Sequence, residues 1–88
     1  MSYLEACRIA LEYFREYFGA TGLTTATEDD RKWFFSAGKD PSNIIGNTII
    51  SVSKETGKIE MVDFLSDDGF EMIKNSTEIK IPSDYISK

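Results

Sequence analysis

Residues 48–65, TIISVSKETGKIEMVDFL, contain the pattern that decides the fold. Apolar and polar side chains alternate through residues 48–53, which is typical of a strand with one buried face. Residues 54–57, Lys-Glu-Thr-Gly, suit a type I turn that ends in a left-handed Gly57. Residues 58–65 then supply a return strand, so the stretch predicts a β-hairpin.

Two further strands are predicted upstream of this hairpin. Residues 20–28 are rich in threonine, which favours a half-exposed strand, and an acidic turn follows. Residues 31–37 form the next strand, in which Trp33 and Phe35 point to one face and Phe34 points to the other. Aromatic side chains on both sides of one strand indicate that both faces of the sheet are covered there.

An amphipathic helix is predicted before the strands, from residue 2 to residue 18. Its apolar positions recur at spacings of three and four, namely Leu4, Cys7, Leu11, Phe14 and Phe18. Ser2 with Glu5 three residues later matches a capping box, and Gly19 is placed to end the helix. This face of the helix needs a sheet to cover it.

The C-terminal third predicts a short helix and an edge strand. The helix runs from a Ser66 cap to residue 74, with Phe70 and Ile73 facing inward. Residues 78–81 alternate as an edge strand, while residues 38–47 contain the glycine, proline and asparagine of a long loop. The predicted fold is one α+β domain over residues 1–88, a helix on a four-stranded antiparallel meander of the cystatin-like or PepSY-like kind.

Composition restricts the classes of partner. The formal net charge is −5 and the basic residues are scattered, so nucleic acid is excluded as an expected partner. A basic protein fits this charge better, although net charge also serves simply to keep a small domain soluble. No apolar run approaches the roughly 20 residues of a membrane helix, and Cys7 is the single cysteine. We expect a cytoplasmic location and no membrane partner.

Catalytic and cofactor chemistry find little support in the sequence. Histidine is absent, which removes the commonest general base and most zinc sites. Cys7 lies on the apolar stripe without a basic neighbour, so a structural thiol is expected instead of a nucleophile. Two acidic clusters remain, and neither has calcium-loop spacing: Glu28, Asp29, Asp30 and Asp67, Asp68. We therefore predict no catalytic residue, no metal and no cofactor.

Trp33 has two interpretations. If it faces the helix, it belongs to the core, as a tryptophan beside two phenylalanines usually does. If it lies on the outer face of the sheet, it becomes a candidate hot spot for a partner, because tryptophan is enriched among the residues that dominate binding energy.

The order of elements resembles a known family. Trp33-Phe34-Phe35 on one strand, then Gly46, then residues 50–59, ISVSKETGKI, are similar to the pattern of the YrhB-like proteins, immunity protein family thirty-five. The resemblance covers about residues 6–65. It implies a protein that neutralises a toxin delivered between competing bacteria, and an acidic surface suits the masking of a basic toxin.

The functional expectation is thus a cytoplasmic immunity-type protein that acts by direct contact. Its predicted contact residues are five acidic residues chosen by charge alone, together with the aromatic Trp33: Glu28, Asp29, Asp30, Trp33, Asp67 and Asp68. The alternative is a chaperone-like or small-ligand-binding module that uses the concave face between helix and sheet. We expect a monomer or a weak homodimer, since an exposed strand edge can pair with a second copy.

Overall fold

The structure is a computed structural model that describes residues 1–19, 22–37, 49–62 and 66–86. The loop predicted at residues 38–47 lies outside the described residues, as does the end of the return strand at residues 63–65. The described parts form an α+β fold, as predicted: an N-terminal helix packs on an antiparallel sheet, and a shorter helix follows the sheet's hairpin.

The N-terminal helix α1 spans Tyr3–Phe18 and has the predicted ends. The Ser2 side chain accepts a hydrogen bond from the Glu5 backbone amide at 3.2 Å, which satisfies one otherwise unpaired amide of the first turn. Gly19 adopts a left-handed conformation with φ 66°, and its amide donates to the Arg15 carbonyl. Cys7, Leu11 and Phe14 of the predicted apolar face are buried, and Phe18 is half-buried. The prediction is wrong for Leu4, which is 57% exposed in the first turn of α1.

Five strands, all paired antiparallel, are present among the described residues. They are β1 (Thr25–Glu28), β2 (Lys32–Ser36), β3 (Ile49–Ser53), β4 (Ile59–Val62) and β5 (Thr77–Glu78). Their order across the sheet is β4-β3-β2-β1-β5, so β1 to β4 form the predicted meander and β5 adds an edge beside β1. Gly57, with φ 77°, closes the β3–β4 turn through a bond from its amide to the Ser53 carbonyl, which confirms the hairpin.

Two predicted strands differ from the observed ones. The strand predicted at residues 20–28 begins only at Thr25, because Leu23 makes an isolated parallel bridge with Ile86 instead. The edge strand predicted at residues 78–81 is the two-residue β5, and Ile79 and Ile81 pack against the core after it ends. In both places burial of an isoleucine or leucine prevails over the alternation that favoured a longer strand.

The face of the sheet under α1 carries the main core. Trp33 and Phe35 on β2 lie beside Val52 and Ile50 on β3, and all four side chains are buried. Phe14 of α1 reaches the same cluster with no exposed surface. Side chains of the described residues therefore fill this part of the space between α1 and the sheet.

The second helix, α2, spans Asp67–Lys74 and lies beside the opposite face of the sheet. This helix connects β4 to β5, which lie at opposite edges of the sheet, so the chain has to cross the sheet between them. Gly69 is buried, and it lines a surface depression together with Ser51 and Lys32 of the outer face. Phe34 and Ser51 are accordingly only 2% and 1% exposed, as expected for a sheet covered on both sides.

The predicted inward face of α2 is partly wrong. Phe70 is 49% exposed, whereas Gly69, Met72 and Ile73 are buried or half-buried. The inward face is therefore the i, i+3, i+4 set that starts at Gly69. The Ser66 cap is confirmed, because its side chain accepts a hydrogen bond from the Gly69 amide at 3.0 Å.

We expect Phe14→Ala to lower the free energy of unfolding by about 3–5 kcal/mol, because it empties a fully buried site. Urea denaturation followed by circular dichroism measures this change. Tyr17→Ala is the matched control on the same helix, since Tyr17 is 64% exposed and its loss should cost less than about 1 kcal/mol. Equal losses for the two variants would contradict the described packing of α1.

Candidate functional site

The turn between β1 and β2 is built by Asp29. Its Oδ1 atom accepts hydrogen bonds from the backbone amides of Arg31 and Lys32, both at 2.8 Å. The Asp29 amide in turn donates to the Lys32 carbonyl at 3.0 Å. An aspartate side chain that bonds the following amides is a common device of tight turns. Asp29 therefore holds the turn, while the neighbouring Asp30 is exposed to solvent.

Glu28 is joined to the β3–β4 turn by an ion pair. Its Oε2 atom lies 2.9 Å from Lys54 Nζ, and both side chains are partly exposed, at 37% and 30% respectively. Lys54 Nζ also lies 5.4 Å from the centre of the Trp33 ring, within the range of a cation–π contact. At this exposure the pair is worth less than about 1 kcal/mol, so its main effect is to position the two turns.

Trp33 belongs to the core. Its side chain faces α1 and is 6% exposed, and its ring centre is 6.0 Å from that of Tyr3. Of the two interpretations of this residue, the structure supports packing. Trp33 can contribute to a partner surface only through the Lys54 side chain that covers it, so we remove it from the set of contact residues.

A surface depression of about 430 Å³, which we call the acidic depression, lies at this end of the sheet. Its lining residues come from the two turns and from the segment after α2: Glu28, Asp29, Asp30, Lys54, Asn75 and Thr77. Three carboxylates and one ammonium group leave a local negative charge. The depression is thus suited to a cationic side chain that donates hydrogen bonds to several carboxylate oxygens.

The other predicted acidic cluster does not join this depression. Asp67 and Asp68 are exposed in the first turn of α2, where negative charge complements the helix dipole. Asn75, which lines the acidic depression, lies just past the other end of the same helix. A helix of eight residues is about 12 Å long, so the two clusters form separate surfaces.

The described residues contain no group of three or more His, Cys, Asp or Glu side chains placed to hold a metal ion. In the same part of the chain, neither α1 nor α2 combines the length and the apolar character that crossing a membrane demands.

Cys7 is buried on the inner face of α1, and it contacts the half-buried Tyr3 one turn earlier in the same helix. Burial raises the pKa of the Cys7 thiol, and its hydrogen bond with Tyr3 offsets part of that rise. Burial also raises the pKa of the Tyr3 phenol, and the contact with Cys7 raises it further. The Tyr3 hydroxyl donates to the Lys80 carbonyl at 2.9 Å. A thiol with a raised pKa is a poor nucleophile, so this environment is that of a structural cysteine.

A second depression, which we call the apolar groove, follows the free part of the β1 edge. It measures about 460 Å³, and its apolar lining comes mainly from Leu23, Ala26, Ile79, Ile81 and Ile86. The groove forms because the chain leaves the β1 edge after the bond from the Ile79 amide to the Ala26 carbonyl and returns only at Leu23. The sequence did not reveal it, since the alternating isoleucines suggested a longer edge strand that would have closed this space.

Comparison with known proteins identifies no relative. No protein-family model matches the chain, and neither a curated protein nor a solved structure is significantly similar to it. The functional argument therefore depends on the geometry of the acidic depression and on the resemblance described above.

We expect the free energy of unfolding to fall as pH rises above about 9, the ordinary pKa of a cysteine thiol. Both Cys7 and Tyr3 have folded-state pKa values above their unfolded values, so the unfolded chain loses these protons first. Their contribution is complete below pH 9 and is lost at higher pH.

Tyr3→Phe tests this dependence in urea denaturation measured from pH 7 to pH 11. The variant should be about 1 kcal/mol less stable at pH 7, where the bond to Lys80 is lost, and its stability should decline less steeply above pH 10, the ordinary pKa of a tyrosine phenol. The matched control is Tyr17→Phe on the exposed face of α1, which should follow the wild-type curve. An unchanged decline in Tyr3→Phe would contradict the buried phenol.

Proposed function

We propose that this protein binds a basic protein surface through the acidic depression. The observation that carries the proposal is the convergence of Glu28, Asp29 and Asp30 on one depression at the end of the sheet. Asp29 is fixed by two hydrogen bonds and Glu28 by Lys54, so these carboxylates are held in place before a partner arrives. Binding to a preorganised site costs less conformational entropy.

We further propose that the partner is a toxin and that binding neutralises it. The resemblance to the YrhB-like immunity proteins motivates this step, and the net charge of −5 suits a basic partner. Charge complementarity of this kind accelerates association and makes affinity sensitive to salt. A protein of this type acts by covering a functional surface of the toxin, so its own contribution is shape and charge.

Reversal of charge at Asp30 is the most direct test. Asp30 is exposed, whereas Asp29 holds the turn and Glu28 pairs with Lys54, so Asp30→Lys changes the surface with little effect on folding. The partner is the product of a neighbouring gene or the protein that co-purifies from the native host. Titration calorimetry should show binding at least about 10-fold weaker for Asp30→Lys, which corresponds to about 1.4 kcal/mol.

The matched control is Asp67→Lys, which changes the net charge equally but lies at the far end of α2. It should alter affinity by less than about threefold, the effect of long-range charge in moderate salt. Equal weakening by both variants would show that net charge alone drives binding. If no partner is captured and the neighbouring genes encode no toxin-like protein, the immunity proposal fails.

The apolar groove supports a second candidate function, the binding of a small apolar ligand. Its volume of about 460 Å³ lies within the usual range of ligand sites, and isoleucine, leucine and alanine supply its apolar lining. This location differs from the concave face predicted from the sequence.

Titration with 1-decanol, followed by NMR of isoleucine methyl groups, tests this candidate. The methyl groups of Ile79 and Ile81 should shift with saturation, while that of Ile59 on β4 should not. Thr24→Phe, which places a ring in the groove, should weaken the response about 10-fold, whereas Thr56→Phe in the β3–β4 turn should not. Uniform shifts across the molecule would show nonspecific association instead of a site.

A further inference from the structure

Among the described residues, the strand β4 forms one edge of the sheet, and no described strand pairs with its outward backbone groups. The Ser53 amide donates to the Lys58 carbonyl at 3.0 Å, so this carbonyl points toward β3. Glu60 lies two residues further along and opposite Ser51, so its backbone groups also point toward β3. In an antiparallel pair, alternate residues point the other way. The amides and carbonyls of Ile59 and Met61 are therefore directed away from the sheet.

The side chains of this edge carry a short alternating pattern. Lys58 and Glu60 lie on the outer face, and both are exposed. Neither takes part in the ion pairs of the described residues, which are Arg8–Glu12 and Lys54–Glu28. On the α1 face, Ile59 packs at the margin of the core while Met61 is 64% exposed.

We propose that β4 pairs with β4 of a second copy, antiparallel about a two-fold axis that places Ile59 opposite Ile59. In this register the two Ile59 residues exchange backbone hydrogen bonds. Lys58 of each copy then lies opposite Glu60 of the other, which gives two cross-strand pairs of opposite charge on the outer face. The result is one sheet that continues through both copies.

The same register brings Met61 opposite Gly57 of the other copy. Gly57 has no side chain, and the nearest side chains beside it are those of Met1 and Ile9. The exposed Met61 of each copy can therefore rest on Met1 and Ile9 of the other. Met1 is itself 44% exposed, so both partners in this contact lose apolar surface to water.

Charge favours this register over the alternative that is shifted by one residue pair. A shift by one pair would place Ile59 opposite Met61 and form equally good backbone bonds, but Glu60 would then lie directly opposite Glu60. Like charges in directly opposed positions are destabilising. The α1 helices do not interfere, since a helix above β2 and β3 lies about 20 Å from its two-fold mate at normal strand spacing.

The dimer is expected to be weak and concentration-dependent. The paired strands are only four residues long, and each copy carries a net charge of −5. Small interfaces of this kind fall in the range of transient association. Higher salt screens the repulsion between the two net charges and also weakens the Lys58–Glu60 pairs, so association is best measured near physiological ionic strength.

Sedimentation equilibrium of the full chain, from about 10 µM to about 1 mM, tests the proposal with a charge swap. Wild type should dimerise within this range. Lys58→Glu and Glu60→Lys alone each replace attraction with repulsion and should weaken association at least about 10-fold. The double variant K58E/E60K restores opposite charges in the same register and should regain wild-type association. Lys74→Glu, at the end of α2, is the matched control and should leave association unchanged.

Hydrogen exchange of the Ile59 amide gives an independent measurement. Exchange at Ile59 should slow with rising concentration in wild type and in the double variant, but not in the single variants. Three outcomes would overturn the proposal: wild type that stays monomeric to 1 mM, single variants that dimerise normally because the second copy docks elsewhere, or a double variant that does not recover. None depends on Asp30, so this test is separate from that of the acidic depression.

Discussion

Burial of β2 on both faces is the constraint on which the rest of the structure depends. Trp33 and Phe35 face α1, and Phe34 between them faces the side covered by α2. Full burial of one such ring is worth about 1.5–3 kcal/mol, which is a large fraction of the stability of a small domain. A strand of this composition cannot leave either face open to water, so the chain has to cover both faces of the sheet around β2. The helix α1 covers one of them, and α2 lies beside the other.

The sequence predicted the parts of the fold that local rules control. Capping by Ser2 and Ser66 and the left-handed Gly57 depend on one or two residues and a hydrogen bond within the same turn, and each was recognised correctly. The α1 stripe was equally clear, because about four turns of helix repeat the same spacing. These features can be predicted because competing arrangements would leave backbone groups or apolar side chains unsatisfied.

The errors occur where contacts between distant residues decide. Phe70 is apolar and was expected to face inward, but Phe70 is 49% exposed while the neighbouring Gly69 is buried. Ile79 and Ile81 alternate as in a strand, yet after β5 ends they pack against the core cluster that α1 covers. Of the candidate site, the cluster Glu28, Asp29 and Asp30 was found by its charge. Its convergence with Asn75 and Thr77 could not be predicted, because it depends on where the crossing segment returns to the sheet.

The chain folds back so that its first helix is held by its last described residues. The Tyr3 hydroxyl bonds the Lys80 carbonyl, 77 positions away, and the Leu23 amide bonds the Tyr85 carbonyl at 2.7 Å. During synthesis, therefore, α1 and the meander leave the ribosome before the segment that closes them. Until residues 80–85 have emerged, the β1 edge and the Tyr3 hydroxyl of the nascent chain have no native partner from this segment. Only then can the native domain close. The docking of residues 80–85 against α1 and the start of β1 therefore closes the described domain, and it has to wait for those residues wherever the other elements form first.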